Sequence, residues 1–247
     1  MRSGRVAAKM AAALVAAALG GCTAAAPEGA LIADPYERLN RDIHEFNRGW
    51  DQVLIRPASQ AYDAVTPALF KHLIYNLDRH LRLPVDAVNY VLQGDLEGAG
   101  ETVLRFVANT ALGAGVLDPA TELGLPYQPN DFGKTLARWG AGEGVFVMLP
   151  LLGPSTARDS VGLGVDFAID PFNFIAISDE VAIEAARLGL PIVDLRSRND
   201  ELFQTLFYDS PDSYATVRSA YVQARRRAVG GGETDPGALP DIFDEDE

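Results

Sequence analysis

Between Tyr36 and Val53 the apolar residues fall at Tyr36, Leu39, Ile43, Phe46, Trp50 and Val53, in steps of three and four. Only a helix brings such positions to one side, so the run predicts a helix with one continuous apolar stripe. Glu37, Arg38, Arg41, Asp42, Glu45 and Arg48 fill the other faces, and Arg56-Pro57 is expected to end the helix. Two placements suit such a stripe. One is a surface helix packed on a soluble bundle. The other is an interfacial helix, with Tyr36, Leu39, Ile43, Phe46 and Trp50 facing lipid and the aromatics at headgroup level.

The rest of the body repeats the theme. A capping residue precedes proline at Asp34-Pro35, Thr66-Pro67, Asp118-Pro119, Asp170-Pro171 and Ser210-Pro211. In such a pair the cap oxygen accepts a free N–H of the first turn, and proline's missing N–H costs nothing at the next position. Helices are expected over 66–81, from Pro84 to a stop at Gly94, and over 96–112, 156–168, 179–188, 193–207 and 211–229. The stretch 113–154 differs. It is rich in glycine and proline and reads as a loop or hairpin insertion, with a short strand over 145–149. The fold class is therefore all-α, a compact bundle of amphipathic helices carrying that insertion.

The N-terminus has its own grammar. Arg2, Arg5 and Lys9 precede an apolar run from Met10 to Leu19 and the small pair Gly20-Gly21. This is the pattern of a secretory signal, too short to span a bilayer. The next residue is Cys22, the one cysteine in the chain. Leu19-Gly20-Gly21-Cys22 resembles the lipobox of bacterial lipoproteins, which implies that Cys22 is acylated and becomes the first residue after cleavage. Thr23, in place of Asp, favours the outer membrane. At the other end, Gly230-Gly231-Gly232 leads into a stretch with acids and no Lys or Arg, expected as a disordered tail. The expected division is a signal at 1–21, an acylated linker at 22–33, a helical domain at 34–229 and an acidic tail at 230–247.

The formal net charge of −13 argues against a nucleic-acid partner and against plain electrostatic adhesion to an anionic membrane. A single cysteine excludes an intrachain disulfide, a Cys-rich zinc site and an iron–sulfur cluster. His44, His72 and His80 have no zinc-type partner, and a surface position is expected for each. No nucleophile elbow, metalloprotease helix or phosphate loop occurs. Gly140-Ala141-Gly142-Glu143-Gly144 has the spacing of a dinucleotide loop in reversed context. Asp131, Asp159 and Asp166 are expected to cap helices or to pair with Arg138 and Arg158. No enzyme activity and no cofactor are expected.

A set of segments in order closely resembles the MlaA/VacJ family of outer-membrane lipoproteins. They are Asp34-Pro35-Tyr36-Glu37 with Asn40-Arg41, Phe46-Asn47, Arg56-Pro57, Val88-Asn89-Tyr90 with Leu92-Gln93-Gly94, Arg105-Phe106 with Asn109-Thr110, Asp131-Phe132-Gly133-Lys134-Thr135-Leu136, Leu152-Gly153-Pro154-Ser155 and Arg158-Asp159. A weaker match continues through Val217-Arg218 and Ala220-Tyr221. The resemblance implies a helical ring in the inner leaflet of the outer membrane, beside porin trimers. It implies an amphipathic channel that takes stray phospholipids from the outer leaflet and hands them to a periplasmic carrier, MlaC. The glycine-rich segment falls where the family has a channel-lining loop. Gly113, Gly115, Gly140, Gly142 and Gly144 are then candidate hinges, and Phe132, Leu136, Trp139, Phe146, Met148 and Leu149 candidate lining. A place in the core is the alternative for each lining residue. The alternative function is a structural envelope lipoprotein that organises porins without moving lipid.

Overall fold

The computed structural model describes residues 31–173 and 181–230. The signal, Cys22, most of the linker and the tail from 231 lie outside the described residues. So does Asp179, the expected start of a late helix.

The first stripe forms α1 (Glu37–Trp50). Arg56-Pro57 does not end it, which corrects the expectation. A π-helical turn, Asp51–Ile55, follows directly and runs into α2 (Arg56–Val65). The π-turn shifts the hydrogen-bond ladder by one residue, with Arg56 N–H reaching Asp51 O. Pro57 then falls at the start of the next helical segment, where a missing N–H is tolerated.

Helix α3 (Ala68–Leu92) carries Pro84 inside it, so the two helices expected around that proline are one. The buried line His80, Leu83, Asp86 and Asn89 crosses the proline and holds both halves in a single packed face. Gly94, at φ 73°, ends this segment as expected. Helix α4 (Leu96–Gly113) starts at Asp95, whose carboxylate accepts the Gly98 N–H at 2.9 Å. Then come short α5 (Pro119–Glu122) and α6 (Phe132–Arg138). The hairpin follows, with β1 (Phe146–Leu149) antiparallel to β2 (Gly153–Thr156) and Phe146 opposite Thr156. Helix α7 (Ala157–Ile169) leads through a 3-10 turn (Pro171–Asn173). The last elements are α8 (Val181–Arg198), α9 (Asp200–Gln204), a second π-turn (Thr205–Asp209) and α10 (Ser213–Gly230); α8 carries Pro191 inside it, so the gap expected between 188 and 193 is helical and the break falls at Asn199 instead.

The expected cap–proline pairs mark breaks, but of the five only Asp170 is seen to cap. Asp170 accepts the Phe172 N–H at 2.9 Å. The carboxylates of Asp34 and Asp118 are taken by tertiary partners instead: Asp34 by Tyr214, Arg218 and Asn40, Asp118 by Arg105 and Asn109. Working caps sit at Asp95, Asp131 and Thr156.

The packing order closes on itself. Helix α1 lies on β1, β2 on α7, α7 on α6, α6 on α3, α3 on α8, and α8 on α2, which returns to α1 through the first π-turn. The apolar core is small. Ile32, Phe146, Met148, Tyr214, Val217 and Val222 form one cluster, and Ala33, Val145 and Ala157 another, both around the hairpin.

Candidate functional site

Most of the ring has no apolar core, because its helices are turned inside out. On α1 the stripe residues Tyr36, Leu39, Phe46, Trp50 and, beyond it, Val53 are exposed; only Ile43 packs against the core. The opposite line Asn40, His44, Asn47 and Asp51 points inward, with Asn40, His44 and Asp51 buried. Helix α3 exposes Leu69, Phe70, Leu77, Val88 and Val91 and buries His80, Asp86 and Asn89. Helix α4 exposes Leu96, Val103, Leu104, Val107 and Leu112 and buries Thr102, Arg105 and Asn109. Among the described residues, buried polar and charged side chains outnumber buried apolar ones. Scattered exposed leucines need no explanation, but whole helix faces do.

Most of the buried groups satisfy one another, as a low-dielectric interior requires. Gln93 Nε2 donates to Thr135 Oγ1 at 2.8 Å and to Asn130 Oδ1 at 2.9 Å. Thr135 donates to Asn89 Oδ1 at 2.8 Å, and Asn89 Nδ2 donates to Asp166 at 2.8 Å. Asp166 also accepts the Phe132 N–H at 3.0 Å. This chain joins α3, α6 and α7. Helices α6 and α7 cross where a side chain on Gly162 would collide with the Gly133 backbone, so glycine is required there.

Ion pairs close the remaining joints. Arg225 on α10 holds Asp131, the cap of α6, at 2.6 Å and Asp159 on α7 at 2.9 Å; Tyr221 donates to Asp159 at 3.0 Å. Burial opposes the charge on both carboxylates, but the Arg225 guanidinium outweighs it and holds them below the usual carboxylate range. Arg196 meets Asp51 at 3.0 Å, both buried, and Tyr208 donates to the same carboxylate at 2.8 Å. That carboxylate therefore ties the two π-turns together. Arg218 and Tyr214 meet Asp34, and Arg41 meets Asp212, which ties the start of the described chain to its end.

These findings correct and refine several expectations. His44 and His80 are buried, since they lie on the inward polar faces; burial lowers the pKa of both. His72 is exposed, as expected. Asp131 caps and Asp159 pairs with Arg158, but Arg138 reaches Asp95 instead. Of the candidate lining, Phe146 and Met148 are enclosed in the core cluster, where their strand alternation points them, so the core alternative holds for these two. Phe132, Leu136 and Leu149 are half-buried and Trp139 is exposed. Gly113 packs on Leu117 and Pro119, and Gly115, at φ 75°, sits against the His80 ring, so both are packing points. Gly140 and Gly142 stand in open space, while Gly144, at φ 72°, packs against Ala157.

Sequence reasoning missed the polar face. Its signal was present: Asn40, His44, Asn47 and Asp51 have the same three-and-four period as the apolar stripe. Among the described residues no helix is long and apolar enough to cross a membrane, and no His/Cys/Asp/Glu group could hold a metal.

Fold and site together define a class: a closed circuit of helices with a hydrogen-bonded polar interior and apolar outer faces. The family model described as MlaA lipoprotein matches residues 32–228, and the chain belongs to this family. An uncharacterized protein of Rickettsia bellii (strain RML369-C) is 33% identical over 200 residues, covering 80% of this chain and 77% of that one. The intermembrane phospholipid transport system lipoprotein MlaA of Escherichia coli (strain K12) is 30% identical over 228 residues, covering 89% and 88%. A solved structure from work on the structural basis for maintenance of bacterial outer membrane lipid asymmetry superposes with a TM-score of 0.69. It is 30% identical and covers 80% of this chain and 99% of its own.

Proposed function

We propose that the protein moves phospholipid between membranes. On this reading it removes phospholipids that have strayed into the outer leaflet of the outer membrane and passes them through an amphipathic channel to a periplasmic carrier of the MlaC type. No bond is made or broken. The observation that carries the reading is that α1, α3 and α4 each expose an apolar face and bury a polar one. In water such faces would be costly, at about 25 cal/mol per Å² of apolar surface; in a leaflet they are solvated. A two-tailed lipid has the same need. Its roughly 30 methylenes, at ~0.8 kcal/mol each, forbid free passage through water. A ring with apolar outer faces and a polar inside offers a lane for tails and one for the headgroup. The printed function of the Escherichia coli relative supports the same conclusion.

Cys22 is the proposed anchor, acylated and seated in the inner leaflet, with a porin trimer as neighbour. The half-buried and exposed residues Phe132, Leu136, Leu149 and Trp139 remain the proposed apolar lining, with Gly140 and Gly142 as hinges beside them. The test is lipid analysis of cells lacking the gene. Phospholipid should accumulate in the outer leaflet and return to normal on complementation. Unchanged outer-leaflet phospholipid would contradict the proposal.

A further inference from the structure

We propose that the polar chamber between α3, α4 and the segment carrying Tyr127 is a binding site for a phosphate group, closed in this structure by the Tyr127 ring. The inference rests on the phospholipid reading above and names the part of the lipid that the interior takes.

Arg79 and His80 from α3, Arg105 from α4, and Asp118 and Tyr127 from the following segment line one small chamber. As it stands, the chamber has no room for a water molecule. Three buried nitrogens of its walls have no hydrogen-bond partner: Arg79 Nε, Arg105 Nε and His80 Nδ1. Arg105 is 3% exposed and His80 7%. Elsewhere the interior satisfies most of its polar groups, so this concentration is unusual.

Charge points the same way. Arg105 is paired with Asp118 at 2.7 Å. Arg79 has no carboxylate within ion-pair distance among the described residues. The buried Asp86 carboxyl meets the Tyr127 hydroxyl and makes no ion pair with Arg79, so the Arg79 guanidinium has no ion-pair partner among the described residues. Guanidinium N–H groups match phosphate oxygens in geometry and in charge.

Tyr127 decides access. Its ring lies 4.0 Å from the Arg79 guanidinium and 5.7 Å from that of Arg105, a cation–π stand-in for the missing anion. Tyr127 also lines a neighbouring cleft of about 640 Å³, with Tyr90, Gln93, Asn130, Lys134 and Arg138. It is the wall between an open cleft, where Arg138 faces Asp95 and Lys134 has no ion pair among the described residues, and a closed chamber with unpartnered donors. Arg105 already gives one terminal nitrogen to Asp118 and the other to Thr121 and the Leu125 carbonyl, so when the ring swings aside a phosphate in the cleft reaches the Arg79 guanidinium and the free Nε of Arg105.

The test uses the mature full-length protein in detergent micelles. It is offered dioleoylphosphatidylethanolamine and dioleoylglycerol, which share their tails and differ by a zwitterionic phosphate headgroup. Retained lipid is counted by mass spectrometry. The phospholipid should be retained in preference. Arg79→Gln should cut the preference about tenfold, Arg79→Lys should keep most of it, and Tyr127→Ala should raise it. Circular dichroism confirms that each variant is folded. A folded Arg79→Gln with undiminished preference overturns the site. If the unaltered protein retains neither lipid, the phospholipid reading fails, and inorganic phosphate followed by phosphorus NMR decides the site alone. Binding that Arg79→Gln abolishes supports a free-phosphate site; no binding overturns it.

Discussion

The Asn40 side chain takes the place of a third strand beside Met148. Its Oδ1 accepts the Met148 N–H at 2.9 Å, and its Nδ2 donates to the Phe146 carbonyl at 3.2 Å. Two turns along α1, Asn47 does the same with the Leu149 carbonyl at 2.9 Å and the Leu151 N–H at 2.7 Å. A two-stranded sheet would otherwise present a bare edge. Asn40→Leu leaves a buried N–H and a buried carbonyl unpaired, so it should destabilise the fold by about 2–4 kcal/mol. Denaturant unfolding checks this. A loss under about 0.5 kcal/mol would mean that the edge is held by other contacts.

The buried Asp51–Arg196 pair should behave as a unit. Asp51→Ala leaves the buried Arg196 with only the exposed Asp200, at 2.5 Å, as its ion-pair partner and deprives the Tyr208 hydroxyl of its acceptor; it should cost about 2–4 kcal/mol. Adding Arg196→Met should recover a good part of that loss, because the stranded charge is gone. A double-mutant cycle measures the coupling, and simple additivity would refute it.

The helical class, the stop at Gly94 and the hairpin were legible because they rest on local chemistry, while several helix ends were not. The direction of the faces was not. On α1 the apolar and polar lines have the same period, and which one turns inward depends on what surrounds the finished ring. Pro57 and Pro84 misled for a related reason. A proline breaks a helix only if nothing else repairs the ladder, and here a π-turn and a continuous packed face do so. The Arg225 grip on Asp131 and Asp159 joins positions 94 and 66 residues apart, beyond the reach of any spacing rule. Yet many residues that carry the family resemblance, among them Asn89, Gln93, Arg105, Asn109, Asp131, Thr135 and Asp159, prove to be the polar interior itself.

Acid should loosen the joint of α6, α7 and α10. Asp131 and Asp159 have folded pKa values held below their unfolded ones, near 3.9. The stability they contribute is therefore present above that value and lost as pH falls through the folded values. Unfolding free energy should drop steeply below about pH 4, and the drop should be shallower in Arg225→Met. An identical slope in the variant would contradict the assignment.

Asp86 should act in the opposite sense. Burial pushes its carboxyl up to about 7, against the Asn130 N–H that it accepts at 3.0 Å. A raised carboxyl contributes most when protonated. Its contribution is complete below the unfolded value, declines as pH rises toward 7, and levels off above. Asp86→Asn keeps the acceptor and removes the charge. It should match the parent near pH 4 and gain about 1–3 kcal/mol at pH 8. Thermal unfolding at the two pH values decides, and a variant less stable at pH 8 would count against the buried carboxyl.

The claim that the ring faces lipid with its apolar stripes is tested most directly at Trp50, one of two tryptophans and exposed on the α1 stripe. A Trp139→Phe variant of the mature lipoprotein, reconstituted in bilayers, leaves Trp50 as sole reporter. Lipids brominated along the acyl chain should quench its fluorescence strongly, and Leu39→Glu with Phe46→Glu should weaken that quenching without unfolding the protein. Emission from Trp50 that is the same in brominated and ordinary lipid would contradict the account.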